Sequence, residues 1–347
     1  QIIHIPRVLY HWRIHKNSTA LKTENKPYAV FAAKAAIQDH FDRNGIYASV
    51  EITPNNAYQV KYLLNDPLPK ISIIIPSRNN EVYLRKCINS ILNKTSYQNF
   101  EIAIIDNNSD DAKTLKLLEE VRNYSKVKIY RDPQDFNYSA INNLAAEKVN
   151  GKYICFLNDD TEVISKNWLE EMLGIFNHQN VGVVGAKLWY SNKTLQHGGI
   201  ILGIGGVASH AHKFFPEGNG GYFGRADLIQ EFSAVTGACL MVPKSLFHQL
   251  GGFNETDLKI AYNDVDFCLR VKESGYSVVW TPMAELFHHE GISRGDDLEL
   301  DENKRFQGEI NYMHSRWGKW IENDPAYSPN LSLSSENFGI AWPSRLQ

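Results

Sequence analysis

Apolar and polar positions along this chain fall into two patterns that take turns over most of its length. Short apolar runs bounded by polar clusters mark strands buried on both faces, and apolar residues three and four apart mark one face of a helix. The clearest alternation begins with Ile71 to Ile75, which ends in Pro76-Ser77-Arg78-Asn79-Asn80 and gives way to Leu84, Cys87, Ile88, Ile91 and Leu92 at helical spacing. Phe100 to Ile105 is a second predicted strand; Asp106-Asn107-Asn108-Ser109-Asp110-Asp111 follows it, and then Leu115, Leu118 and Val121 on the next helix face. Val127 to Tyr130 is a third short strand. A helix over about Tyr138 to Val149 leads into Tyr153-Ile154-Cys155-Phe156-Leu157, which stops abruptly at Asn158-Asp159-Asp160. Strands alternating with helices predict an α/β fold with a mostly parallel central sheet, whose ligands collect at the carboxyl ends of the strands.

On either side the pattern changes. Upstream, Pro27 to Arg43 reads as an amphipathic helix stopped by Asn44-Gly45, Val50 to Leu64 as a strand or two, and Asn65-Asp66-Pro67-Leu68-Pro69 as a boundary. Residues 1–66 are therefore expected to be an N-terminal helix and strand extension, 67–323 the main domain, and 324–347 an irregular tail. Ile2 to Tyr10 is strand-like, and His11-Trp12-Arg13-Ile14-His15 reads as a surface arm without a metal site, since no carboxylate or thiol lies nearby in sequence. Downstream, Trp168 to Phe176 is a helix and Val181 to Val184 a strand. Residues 191–232, rich in Gly and His, read as a mobile loop region. Their run Gly203-Ile204-Gly205-Gly206 neither ends a clear strand nor opens a clear helix, as a phosphate loop would. Ala234 to Val242 is a strand whose Thr236, Gly237 and Ala238 permit close approach of a ligand or backbone, and Pro243 starts a helix. Asn263 to Ser274 is a helix stopped at Gly275, followed by apolar runs at Val278 to Trp280 and Glu285 to Glu290, and by a helix from Asp301 that carries Trp317 and Trp320.

Composition narrows the function classes. With 347 residues, 43% hydrophobic and 22% charged, the chain has the make-up of a globular protein. A net charge of -3 offers no basic field, so no nucleic-acid partner is implied. The widely spaced Cys87, Cys155, Cys239 and Cys268 read as reduced, buried thiols. No run approaches the roughly 18 apolar residues of a spanning helix, and the expectation is a cytoplasmic protein, compatible with peripheral association at the inner face of the cell membrane.

Chemistry concentrates in carboxylates. Asp159 and Asp160, at a strand's carboxyl end, either cap the helix before Trp168 or supply hard oxygen ligands for Mg²⁺ or Mn²⁺, which bind through one or two carboxylates plus substrate phosphates. Asp264 and Asp266, in the first turn of a helix, are favoured there by the macrodipole alone.

Taken together, Ser72-Ile73-Ile74-Ile75-Pro76-Ser77-Arg78-Asn79, Ile105-Asp106-Asn107-Asn108-Ser109, Leu157-Asn158-Asp159-Asp160, Thr236-Gly237-Ala238-Cys239, Gly251-Gly252-Phe253-Asn254-Glu255 and Asn263-Asp264-Val265-Asp266 resemble the family 2 glycosyltransferases with the Rossmann-like GT-A fold, from about Ile71 to Trp320. Gln196-His197-Gly198-Gly199 and the segment from His288 to Gly295 look like a bacterial subgroup containing rhamnosyltransferases and other polysaccharide-building enzymes. The resemblance implies an inverting, metal-dependent enzyme. It would move a sugar from a UDP- or dTDP-linked donor to a hydroxyl of a growing bacterial surface glycan, with a glycan or lipid-linked glycan as acceptor. Carried over by position, Pro76, Ser77, Arg78 and Asn79 border the nucleotide, Asp106 hydrogen-bonds the base, and Asn158 and Asp159 contact ribose or the metal's surroundings. Asp160 binds Mn²⁺ or Mg²⁺ with His288, His289 being the reserve because neighbours on a strand face opposite ways. Arg294 assists the departing diphosphate, and Asp264 is the general base. Asp266, on another face of the helix, is structural. Asn158 and Asn263 stand where the family usually has acids, which keeps a non-catalytic glycan-binding module as an alternative. A nucleotidyltransferase is the other, but it would want a Gly-rich loop after the first strand, which Pro76 to Asn80 lacks. The run Ile5 to Arg13 looks like the closing segment of a preceding transferase domain, so the chain is expected to belong to a longer parent with other domains.

Overall fold

The computed structural model describes residues 5–7, 9–14, 27–53, 55–178, 180–289 and 300–345. The strand predicted within residues 2–10 is absent from the described residues 5–7 and 9–14, where Leu9, Tyr10 and Trp12 are exposed; the rest of that run lies outside the described residues.

Helix α1 (Pro27–Arg43) and the antiparallel hairpin β1 (Ala48–Ile52) and β2 (Tyr58–Tyr62) build a small unit around Phe41, Ala48 and Val50. The α/β part follows as β3 (Ile71–Ser77), α2 (Glu81–Lys94), β4 (Phe100–Asn107), α3 (Ala112–Val121), β5 (Val127–Asp132), α4 (Tyr138–Lys148) and β6 (Tyr153–Leu157). Side-chain caps start two of the helices: Asp111 accepts from the Thr114 amide, and Asn137 from the Ala140 amide. Next come β7 (Thr161–Val163), α5 (Trp168–Ile175), β8 (Val181–Trp189), β9 (Leu195–His197), β10 (Ile200–Leu202), β11 (Ala208–His210), β12 (Gln230–Glu231), β13 (Cys239–Pro243), α6 (Lys244–Gln249), α7 (Asn263–Glu273), β14 (Ser277–His288) and α8 (Leu300–Glu322).

The central sheet has the order β12-β14-β8-β13-β6-β3-β4-β5, with β7 paired to β14 and β9 to β8. It is parallel through β6-β3-β4-β5 and between β14 and β8, and β13 lies antiparallel between the two halves. Alternation along β3 feeds two core layers: Ile71, Ile73 and Ile75 enter one with α2 and α5, while Ile74 enters the other with α4 and α7. Val278 to Trp280 and Glu285 to His288, two runs in sequence, are one strand with a register shift between Thr281 and Glu285. All four cysteines are buried and unpaired, and no helix among the described residues is long and apolar enough to cross a membrane.

Residues 191–232 depart from the expected mobile loop region. Gln196 and His197 are buried in β9, and β10 pairs with β11 in a hairpin whose turn is Gly203 to Gly206. Gly203, Gly205 and Gly206 all have positive φ, so this glycine run serves turn geometry. The tail after α8 has no helix or strand among its described residues, yet it is packed: Tyr327, Leu331, Phe338 and Ala341 are buried. The Asp324 carboxylate accepts from the Leu202 amide and the Ser233 hydroxyl, and the Phe338 ring stacks 4.3 Å from that of His212.

Candidate active site

A cavity of about 550 Å³ opens at the carboxyl ends of β3 and β6, and α7 points its N-terminus into it. Pro76, Ser77, Arg78, Asn158, Asp159, Asp160, Asp264 and His288 line it, so eight positions singled out in the sequence come together.

Sheet register explains the donor-side wall. Asp160 immediately precedes β7, and β7 runs antiparallel to β14 with Thr161 opposite His288, which sets the His288 Nε2 3.1 Å from the Asp160 Oδ1. His289, the next residue, faces away: its Nδ1 lies 2.6 Å from the Ser191 hydroxyl and its ring packs against Tyr83. Of the two neighbours it is His288, not the reserve His289, whose side chain lines the cavity, as strand alternation requires. Asn79 is not in the wall either. Its side chain ties two loops together, donating to the Asp110 carboxylate at 2.7 Å and accepting from the Asp110 and Asp111 amides. Asp106 sits one strand over from Ser77 in register and outside the lining; its carboxylate accepts from the Ser109 amide at 3.0 Å and from Arg131 at 2.7 Å. Arg294 lies outside the described residues.

The two acids differ. Asp159 accepts from the Ser77 hydroxyl at 2.6 Å, and burial together with the neighbouring Asp160 charge pushes its carboxyl up to about 6. For Asp160, burial acts to raise the value, but His288 outweighs it and the net shift is downward. The Asp160 Oδ1 is nevertheless a buried oxygen without a well-directed hydrogen bond. His288 Nδ1 lies 2.8 Å from the Gln196 amide oxygen and so carries a proton, while Nε2 stands 3.2 Å from the Asn158 amide nitrogen and 3.1 Å from the Asp160 Oδ1. A ring oriented through its far nitrogen and a carboxylate oxygen left unbonded are what a divalent cation uses. The residues therefore fit a metal held by Asp160 and His288, with substrate phosphates completing the shell; among the described residues no cluster of three or more acidic, His or Cys ligands exists.

Across the cavity, the Asp264 Oδ2 accepts from the Gly237 amide at 2.7 Å and its Oδ1 from the Val265 amide at 2.8 Å. Burial raises its affinity for a proton in spite of these two donors. Gly237 allows the approach: a Cβ there would stand 3.3 Å from the Tyr138 hydroxyl and 3.4 Å from the Asp264 Cβ. Asn263 is buried and donates to the Ile260 carbonyl at 2.9 Å. Asp266 has structural partners, pairing with Arg270 at 2.8 Å and accepting from the Trp317 indole at 2.9 Å.

Sequence reasoning gave no role to Arg131, Tyr138, Gln196 or His210. Tyr138 donates to the Gly237 carbonyl at 3.1 Å and stands 3.4 Å from the Asn158 amide oxygen, while Gln196 orients His288. Only the Gln196-His197-Gly198-Gly199 motif pointed toward any of them.

Comparison with known proteins gives the family and the fold. The family model described as "Glycosyl transferase family 2" matches residues 72–250. The chain is 42% identical over 346 residues to uncharacterized protein y4gI of Sinorhizobium fredii, covering 99% of this chain and 38% of that protein. It is 33% identical over 340 residues to O-antigen biosynthesis protein RfbC of Myxococcus xanthus, covering 97% of this chain and 26% of that protein. The chain thus spans well under half the length of these relatives. Among solved structures, GalNAc-T7 with UDP, GalNAc and Mn²⁺ superposes with a TM-score of 0.55 at 14% identity, over 73% of this chain and 52% of that one. The mannosyltransferase PcManGT from Pyrobaculum calidifontis, in complex with GDP-Man and Mn²⁺, gives 0.52 at 11% identity, over 85% and 79%. The shared fold is the GT-A fold expected from the sequence.

Proposed function

The chain belongs to glycosyl transferase family 2, and we propose that it performs inverting transfer of a sugar from a UDP- or dTDP-linked donor to a hydroxyl of a bacterial surface glycan. The observation that carries this reading is the shared cavity with Asp160 and His288 on one wall and a backbone-held carboxylate, Asp264, on another. Two relatives bear names from surface-polymer synthesis, RfbC for O-antigen and the minor teichoic acid biosynthesis protein GgaB of Bacillus subtilis, which supports a surface glycan as acceptor.

In this reading Asp106, fixed by Arg131 and the Ser109 amide, hydrogen-bonds the base, and Ser77 with the exposed Arg78 borders the ribose and diphosphate. Asp160 and His288 would hold Mn²⁺ or Mg²⁺, which neutralises charge developing on the departing diphosphate. Asp264 accepts the proton of the acceptor hydroxyl as its oxygen attacks the anomeric carbon on the face opposite the diphosphate. One displacement with one base inverts that centre. Asn158 bridges Tyr138 and His288 in place of an acid.

The test is a panel of uridine, thymidine and guanosine diphosphate sugars with Mn²⁺ or Mg²⁺, followed by nucleoside diphosphate release. Release from a uridine or thymidine donor is expected. No release from any donor, with no metal-dependent nucleotide binding, overturns the proposal.

A further inference from the structure

Tyr138 lines the cavity, and nothing in the reading above uses it. It is the first residue of α4, and its place is fixed from several directions. The Asn137 side chain caps the helix, the Asn142 side-chain amide donates to the Tyr138 carbonyl at 2.8 Å, and the ring packs against Phe253 with centroids 6.4 Å apart. The hydroxyl reaches Gly237 and donates to its carbonyl at 3.1 Å. The Asn158 amide oxygen, at 3.4 Å, is the more distant acceptor for the same single proton. Burial and the Asp264 charge push the Tyr138 phenol up, so at neutral pH it keeps the proton that it donates.

Gly237 is where this bond bears on the base. Its carbonyl accepts from Tyr138 and its amide donates to the Asp264 Oδ2 at 2.7 Å, so one residue without a side chain is held between a phenol and a carboxylate. Its neighbours are held by longer bonds. The Thr236 amide reaches the His197 Nε2 at 3.4 Å, the Ala238 amide reaches the Thr236 hydroxyl at 3.3 Å, and the Asn158 amide donates to the Ala238 carbonyl at 3.1 Å. His197 adjoins Gln196, whose amide oxygen meets His288, so a belt runs from His288 through His197 to Asp264. Tyr138 is the side chain that ties the Gly237 end of this belt to α4.

We propose that Tyr138 is the positioning residue of the base: its hydroxyl fixes Gly237, so that the Gly237 amide keeps the Asp264 carboxylate in one orientation. This rests on the reading of Asp264 as general base given above.

The experiment measures kcat, donor affinity and the pH dependence of kcat in wild type, Tyr138→Phe, Asp264→Asn and the double variant, with the donor found active in the panel. Tyr138→Phe keeps the ring that packs on Phe253 and removes only the hydroxyl. Loosening one neutral hydrogen bond is expected to lower kcat by roughly three- to tenfold, with donor affinity within about a factor of two. The acid limb should move to higher pH, because the Gly237 amide bond lowers the proton affinity of Asp264 and is weakened in the variant. The limb reports the carboxylate: Tyr138 from α4, Tyr262 ahead of α7 and Cys268 within it are all pushed up by burial and stay neutral, and Thr236 to Ala238 bring no titratable side chain. In the Asp264→Asn background Tyr138→Phe should change turnover little, since its effect passes through the carboxylate. If Asp264→Asn is slow while Tyr138→Phe keeps the wild-type kcat and acid limb, or slows both backgrounds by the same factor, this inference alone fails. A loss of donor affinity in place of turnover overturns it too, making Tyr138 a substrate contact. If wild type releases nothing from any donor, or Asp264→Asn retains the wild-type rate, the functional reading fails and takes the inference with it.

Discussion

At the scale of single residues, the division of labour in the cavity makes separable predictions. Asp264→Asn is expected to lower turnover by about 10²-fold or more while leaving donor affinity within a factor of a few, because general-base assistance of that size is lost but no donor contact is. Asp160→Ala should do the reverse, removing Mn²⁺-dependent nucleotide binding; titration of nucleotide with and without metal distinguishes the two. The pH dependence follows from the raised Asp264 value. Its charged form is the active one, so the acid limb of the kcat profile should fall at a pH above the ordinary carboxylate range. The linked stability has the opposite sense. A carboxyl whose folded value is raised adds stability below its unfolded value and loses it as pH rises through the folded one. Asp264 therefore adds nothing of this kind at neutral pH, where it works. An acid limb that follows an unshifted carboxylate would count against Asp264 as the base.

At the scale of elements, the site depends on strands that approach more closely than side chains normally allow. Gly185, in β8, faces Val235, and a Cβ added there would lie 2.5 Å from the Val235 Cβ. Neither atom can swing aside, so backbone must move. Gly185→Ala is expected to cost about 1–3 kcal/mol by overpacking and to shift the Val235-Thr236-Gly237 stretch, whose amides hold His197 and Asp264. Denaturant melts read the first effect, and a turnover loss larger than the stability loss predicts reads the second. The repeating elements were legible beforehand: α1 lies over Pro27–Arg43 as the periodicity predicts, and β3 to β6 follow the predicted alternation. What escaped were elements too short to show a period. β7, β9, β10 and β11 have three residues each, and they place Asp160, Gln196, His197 and His210.

At the scale of the whole molecule, the tail is part of the cavity's support rather than an appendage. Phe338 is buried and stacks on His212 and Tyr222, and Glu336 accepts from the Ser209 hydroxyl and the His212 amide, one on either side of His210, which lines the cavity. Phe338→Ala should destabilise the fold by about 3 kcal/mol, as large-to-small core changes do, and should reduce activity at temperatures where the protein remains folded. Thermal unfolding and a turnover measurement well below the midpoint check both; a stable variant of full activity would show that the tail does not support the site.

Sequence alone determined the α/β alternation, the carboxylates at strand ends and the helix that carries Asp264, because period and abrupt polarity changes are local properties of a chain. It ranked His288 ahead of His289 but could not show which of them faces the cavity, and it gave no sign that the Asn79 side chain ties two loops together. Those matters were decided by tertiary structure. Which neighbour of a pair faces a cavity depends on the register of β14 against β7, and which polar atom stays available depends on partners contributed from far along the chain. The belt from His288 through His197 to Asp264 is the clearest case: residues 196, 236, 264 and 288 meet only because separate strands and a helix converge on one rim.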